Sequence, residues 1–278
     1  MPELPEVETV RRQLERLMVG RRLASVSISD SRLTRPVDPR AVEAALTSCT
    51  VASVSRRGKY LVFDLDGVNW LAHLRMTGAF LTMSNGTLDD SRHLRAVVQL
   101  DDGARVGYRD VRRFGTWAVL SDQELNSFFA TRLGPEPLSE AFDPAWLSGR
   151  FARSGASVKA ALLDQTTAAG VGNIYADEAL WQAGVHPARD AGSLTDIEIT
   201  ALVTAVRAAL ATGIERQGAT LRDYRAPDGE SGAMQDEFAV YGREGEPCNR
   251  CNRLVTKIRL VGRGTWFCPS CQPTCVRR

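Results

Sequence analysis

Apolar residues recur at helical spacing near the start of the chain. Val7, Val10, Leu14 and Leu17 fall on one face, Pro5 suits a first helical turn, and Gly20 can end it, which predicts a helix over residues 5–20. From about residue 22 to 120 the period changes to two. The run Lys59–Asp66 (KYLVFDLD) alternates, Asp66-Gly67 offers a turn, and Trp70–Arg75 (WLAHLR) follows. Arg95–Leu100, Asp102-Gly103 and Arg105–Arg109 repeat the arrangement, so antiparallel hairpins and an all-β domain behind one helix are expected. The segment Leu133–Leu138 (LGPEPL) breaks the pattern, and helical periodicity returns beyond it. Thr195 and Glu198 form a candidate capping box ahead of a stripe of Ile199, Leu202, Val203, Val206 and Leu210, closed by Gly213. Residues 218–235 are rich in Gly, Asp, Arg and Ser, the composition of a mobile functional loop.

At 278 residues and 44% apolar, the chain can form two ordinary domains and a small appendage, with buried cores. A net charge of +2 does not announce a polyanion, but its distribution says more. From Arg243 to Arg278 eight basic residues face two acidic ones, a net +6 on an otherwise nearly neutral body. Such a basic module suits a polyanionic partner; a solvated tail is the plainer alternative. The first fifteen residues carry Glu3, Glu6, Glu8, Arg11 and Arg12 without an apolar run, which is no signal peptide, and nowhere do 18 apolar residues follow one another. No membrane span and a cytoplasmic location are expected, where disulfides are rare.

The six cysteines then need another role. Cys248-x-x-Cys251 and Cys268-x-x-Cys271, separated by sixteen residues, have the spacing with which two turns present four thiolates to one tetrahedral zinc ion. Four protein ligands leave no open position, so one structural Zn2+ per chain is expected, holding together a piece too small for its own core. Lys257, Arg259 and Arg263 lie between the pairs. A metal-clamped hairpin can deliver cations to phosphate, although protein-binding ribbons use the same motif. Cys49 reads as a small core residue and Cys275 as an ordinary tail thiol.

The start MPELPEVETVRR, Arg112-Arg113-Phe114-Gly115, the stretch Gly170–Ala176 (GVGNIYA) and the terminal cysteine pairs closely resemble bacterial formamidopyrimidine-DNA glycosylases, in order from Pro2 to Cys271. The resemblance implies an α+β multidomain fold: an N-terminal antiparallel β-sandwich with flanking helices, a helical helix–two-turns–helix domain, and a C-terminal β-hairpin zinc finger. The expected boundaries are 1–133, 134–240 with a lesion-capping loop, and 241–278.

The implied activity is removal of oxidised purines from damaged double-stranded DNA, with strand cleavage by β,δ-elimination, by a monomer. Once Met1 is removed, Pro2 offers a secondary amine that can form an iminium at a sugar carbon. Beside it, Glu3 would handle protons at the sugar ring. Glu6 would support the site and Glu8 merely complement a helix dipole. Lys59 would sit near the lesion and its phosphate. His73 and Asn173 would contact phosphate, as would Lys159, for which a solvated helix face is an even alternative, and Arg263 on the zinc finger. Met76, Arg112 and Phe114 would fill the hole left by an extruded base. Backbone amides around Arg222, Asp223 and Tyr224 would read that base. Val111, where the family often has proline, and Thr77, at a variable position, depart from the pattern and leave loop geometry and base preference open. An endonuclease VIII-like enzyme for oxidised pyrimidines is the nearest rival; a non-enzymatic DNA-binding protein on the same scaffold is another.

Overall fold

A computed structural model describes residues 1–83, 91–152, 154–221 and 224–274. The chain forms two compact units. The first comprises Met1–Ala130 and Arg216–Ala233, and the second Thr131–Glu215 and Met234–Arg278.

In the first unit α1 spans Leu4–Met18 and α2 Pro39–Leu46, with α3 (Asp122–Ala130) at the end. The strands are β1 (Leu23–Ile28), β2 (Ser53–Arg57), β3 (Tyr60–Asp64), β4 (Asn69–His73), β5 (Gly78–Met83), β6 (Leu94–Leu100), β7 (Arg105–Asp110) and β8 (Thr116–Leu120). They make two four-stranded sheets, ordered β1-β6-β7-β5 and β2-β3-β4-β8, with every pairing antiparallel. The expected hairpins are present. Tyr60 pairs with His73 and Asp64 with Asn69, and the turn between them carries positive φ at Asp66 (55°) and Gly67 (106°), which matches strand twist. Phe63, Trp70 and Trp117 of one sheet interlock with Phe80 and Tyr108 of the other, with ring centroids 4.1–5.9 Å apart. This aromatic cluster joins the sheets into a sandwich. Val7, Val10 and Leu14 bury the predicted face of α1 against it.

The second unit holds α4 (Pro144–Phe151), α5 (Val158–Leu163), α6 (Asn173–Ala183) and α7 (Asp196–Glu215), then a hairpin of β9 (Thr256–Leu260) and β10 (Arg263–Phe267). Turns over 164–172 link α5 to α6. The capping box forms as read: Glu198 Oε2 accepts from the Thr195 N–H at 2.8 Å, and the Thr195 hydroxyl accepts from the Glu198 N–H at 3.4 Å. By length and mean hydropathy (1.6), α7 could cross a membrane. Here it packs on α4 and α6, and Leu202, Val206 and Leu210 are buried.

Residues 216–233, read in the sequence with the helical part, fold as part of the first unit. Asp228 is bonded both ways to Gln13 of α1 (2.6 and 3.1 Å), and Thr82 of β5 donates twice to the Pro227 carbonyl. The loop is therefore tied at its far end to the sandwich rather than free along its length.

Candidate functional site

Pro2 and Glu3 immediately precede α1, and both are buried. The α1 N-terminus leaves backbone N–H groups without helical partners, and Glu6 takes one of them: its Oε2 accepts from the Glu3 N–H at 2.7 Å. Its other oxygen accepts from the Ala219 N–H at 2.8 Å. Beside that bond Gly218 sits at φ +81°, and a Cβ there would lie 2.7 Å from Glu6 Cγ. Tyr224 donates its hydroxyl to the carbonyls of Glu6 (3.3 Å) and Gln217 (3.2 Å), and burial, reinforced by Glu6, pushes its phenol pKa up. Glu6 thus fastens residues 217–219 to the Pro2–Glu3 tip. Arg222 and Asp223, expected beside Tyr224 in base reading, lie outside the described residues, as do Cys275, Arg277 and Arg278.

Glu8 does more than complement a dipole. It bonds Arg56 (3.2 Å), which also donates to the Gly58 carbonyl (2.9 Å), so α1 holds the turn that carries Lys59. Lys59 is 5% exposed at the entrance to β3. His73 lies opposite Tyr60 in the β3–β4 ladder, edge-on to its ring at 4.5 Å. Burial lowers the His73 pKa to about 3, helped by the charges of Arg75 and Lys59. The neutral ring accepts the Arg75 N–H on Nδ1 (2.9 Å), leaving Nε2–H as its donor.

Met76 and Phe114 are 38% and 51% exposed, against the apolar pattern of the sandwich. The Arg112 guanidinium lies 4.7 Å from the Phe114 ring centroid. Met76 and Phe114 line an open cleft of about 590 Å3 together with Arg32, Arg35, Arg75 and Arg113. Arg113 is held by Asp30 through two bonds (2.5 and 2.7 Å), which pull that carboxyl below its usual range. Val111 is 39% exposed beside it.

In the second unit Lys159 requires a correction. Its side chain is fully buried, so it cannot touch DNA phosphate. Its ammonium lies 2.7 Å from Asp177 Oδ1 and donates to Thr265 Oγ1 (2.8 Å) and the Gly264 carbonyl (3.2 Å). Asn173 donates to the same carbonyl (3.0 Å), which places it one residue from exposed Arg263. Asp177 Oδ2 accepts from Trp266 N–H (3.1 Å), while Glu178 accepts from three successive N–H groups at Ala239, Val240 and Tyr241 (2.8–3.0 Å). Burial pushes Asp177 up to about 7 against the pull of Lys159, and raises Glu178 despite those donors. Sequence reasoning missed both acids. The available signal was ADEAL inside an otherwise apolar stretch, where a buried carboxylate must find donors.

The four predicted cysteines converge: all Sγ atoms lie within 4.8 Å of one another, with pairs at 3.5 and 3.9 Å. Zinc–sulfur bonds of about 2.3 Å in a tetrahedron require sulfurs about 3.8 Å apart, so the thiolates fit one structural zinc ion. The Trp181 indole donates to Cys248 Sγ (3.4 Å), and Arg250 caps the carbonyls of Trp181 and Gln182 while stacking on the Trp181 ring at 3.9 Å. Some of the basic charge in the tail is therefore structural, since Arg243 likewise bonds the Ala239 carbonyl and Glu246.

The chain matches the formamidopyrimidine-DNA glycosylase N-terminal domain over residues 1–117, the H2TH domain of the same family over 133–225, and a zinc finger found in FPG and IleRS over 245–274. The glycosylase of Bacillus subtilis is 42% identical over 274 residues, covering 98% of this chain and 99% of that one. The Geobacillus kaustophilus glycosylase is 45% identical, covering 98% and 100%. A Lactococcus lactis Fpg mutant crystallised with Fapy-dG-containing DNA superposes with a TM-score of 0.93 at 38% identity, covering 98% and 100%. Thermus thermophilus Fpg gives 0.88 at 44% identity, covering 98% and 99%. The chain belongs to the formamidopyrimidine-DNA glycosylase family.

Proposed function

We propose that this chain is a bifunctional base-excision repair enzyme: it removes oxidised purines, 8-oxoguanine and formamidopyrimidines, from duplex DNA and cuts the strand at the resulting site. Its relatives carry the glycosylase name along their whole length, and Lactococcus lactis Fpg has been crystallised with abasic-site DNA. The reading rests above all on the exposed Met76–Arg112–Phe114 group. Phe114 is the only exposed aromatic side chain among the described residues of its unit. An apolar wedge with a stacked cation has no use in water, but it can replace an extruded base and face the orphaned partner.

Loss of Met1 frees the Pro2 nitrogen as a secondary amine. It attacks C1′ of the damaged nucleotide as the glycosidic bond breaks, its proton leaves with the base, and the C1′–O4′ bond then opens as Glu3 protonates the ring oxygen. The resulting iminium is an electron sink. Removal of a C2′ proton expels the 3′ phosphate, and a second elimination expels the 5′ phosphate, leaving a one-nucleotide gap with phosphate ends. Lys59, the Nε2–H of His73, Asn173 and Arg263 hold phosphates, and the zinc finger delivers the last of these. The 219–232 segment covers the extruded base. The enzyme acts as a monomer on nucleoid DNA in the cytoplasm. A broader substrate range is a second reading, because a Lactococcus lactis Fpg structure holds DNA with an oxidised pyrimidine.

Borohydride trapping on a duplex with one 8-oxoguanine opposite cytosine, with mass mapping of the adduct, tests the reading. An adduct on Pro2 is expected, lost or greatly reduced in Pro2→Gly. Tight binding without an adduct would favour a non-enzymatic reader, and an adduct only with oxidised pyrimidines would move the substrate class.

A further inference from the structure

The three wedge side chains come from two different turns. Met76 lies between β4 and β5, and Arg112 and Phe114 between β7 and β8. Both turns are short and their wedge side chains are exposed, so nothing in either sequence fixes one against the other. The link is Asp110, the last residue of β7, which is 1% exposed and lies opposite Gly78 in the ladder. Its Oδ1 accepts from the Thr77 hydroxyl (2.5 Å) and from the Arg112 N–H (3.2 Å); its Oδ2 accepts from the Gly115 N–H (2.7 Å). The Arg112 N–H also reaches Thr77 Oγ1 at 3.0 Å. One acceptor-only group therefore grips both ends of Arg112–Phe114 and the neighbour of Met76. At Gly115 a Cβ would fall 1.9 Å from the Tyr108 hydroxyl, so that end of the turn is pressed onto the sandwich core.

We propose that Asp110 is a positioning residue that makes the two turns one rigid wedge, and that Thr77 sets how firmly the Met76 turn is joined to it. The proposal rests on the glycosylase reading and adds how wedge insertion is coupled to contact with the opposite base. If Met76 and Arg112 move together, the energy of placing Arg112 against the orphaned base supports extrusion of the damaged one. A loosened bracket lets Met76 or Phe114 enter without Arg112, and discrimination between opposite bases narrows.

The test uses the full chain as wild type, Asp110→Asn and Thr77→Val, on duplexes with 8-oxoguanine opposite cytosine or adenine and on a preformed abasic site. Asparagine turns an amide NH2 toward one of three donors; valine removes only the Thr77 hydroxyl. Loss of buried charge-assisted bonds predicts that Asp110→Asn lowers base excision opposite cytosine by about tenfold to hundredfold, with abasic-site cutting within about threefold, because no base must be extruded there. Its preference for cytosine over adenine should shrink. Thr77→Val should shift both quantities the same way by less. In single turnovers, 2-aminopurine placed opposite the lesion should report slower wedge entry in both variants. An equal fall in excision and abasic cutting, or an unchanged opposite-base preference, would overturn the proposal. Should Asp110→Asn fail to fold, Thr77→Val alone decides it. A wild type inactive on every duplex would instead overturn the glycosylase reading.

Discussion

Lys159 separates two accounts of one residue. As a phosphate ligand its loss should weaken DNA binding and leave the fold intact; as a buried strut it should do the reverse. Lys159→Met keeps most of the side-chain volume and removes the ammonium. Asp177 then loses its counter-charge, and Thr265 Oγ1 and the Gly264 carbonyl lose a donor inside a fully buried pocket. Breaking a buried pair from one side costs about 3–5 kcal/mol, a large share of the roughly 5–15 kcal/mol that holds a domain together. The loss has a pH signature. Lys159 opposes the burial that already pushes Asp177 up to about 7, so without it the carboxyl rises further above its ordinary value of 3.8. A folded state that binds more protons than the unfolded one loses stability as pH rises, so Lys159→Met should be more destabilised at pH 8 than at pH 6. Urea unfolding at both values gives the stabilities. Titrating affinity against salt for a duplex carrying an abasic analogue gives the number of phosphate contacts. A lost contact would lower the salt slope by about 0.9, whereas a lost strut leaves the slope of the folded fraction unchanged. Near-wild-type stability with a reduced slope would refute the buried-pair reasoning and restore the phosphate contact.

Three further outcomes are expected from the geometry. Gly218→Ala puts a methyl group at positive φ and 2.7 Å from Glu6 Cγ, whereas Gly229, at φ +89°, has nothing within 4 Å of its Cβ position. Backbone strain of about 1 kcal/mol is common to both, so a larger fall in melting temperature and excision rate for Gly218→Ala isolates the Glu6 latch; equal effects would dismiss it. Cys268→Ser should lose bound zinc, measured by native mass spectrometry, together with DNA affinity; a zinc-free variant that binds damaged duplex as wild type does would separate metal from binding. His73, with its folded pKa lowered to about 3 from 6.5, is neutral throughout the working range. The unfolded chain takes up its proton first, so stability falls as pH drops from about 6.5 toward 3, and His73→Asn should flatten that limb in urea titrations; an unchanged limb would argue against a buried neutral ring.

Much of the architecture was legible because it is written in local terms. Period-two runs flanking Asp66-Gly67 and Asp102-Gly103 specify hairpins, Thr195 and Glu198 specify a helix start, and two CxxC turns need only each other and an ion. The features that escaped are those decided by three-dimensional pairing. Lys159 reads as a phosphate contact or a solvated cation, because the Asp177 that pairs with it lies on the next helix and its hairpin partners Gly264 and Thr265 about a hundred residues away. The Arg112 motif was readable, but its anchor Asp110 was not, since an acid ending a strand beside a turn looks like ordinary turn chemistry.

The missed Asp110, Asp177 and Glu178 share a logic with Glu6. All four are buried, and each accepts backbone N–H groups from a loop or strand it holds in place: Gly115, Trp266, Ala239–Tyr241 and Ala219 respectively. An arginine that must stay free for DNA cannot also hold the loop that carries it, so that fixing falls to other groups. Carboxylates suit that task, because one side chain takes two or three donors and stays out of the interface. Replacing such an acid should therefore disturb where wedge, loop and finger stand, while leaving the phosphate-binding charge untouched. The consequence would appear in excision and base preference before it appears in the salt dependence of binding, whereas removing Arg263 should produce the opposite order.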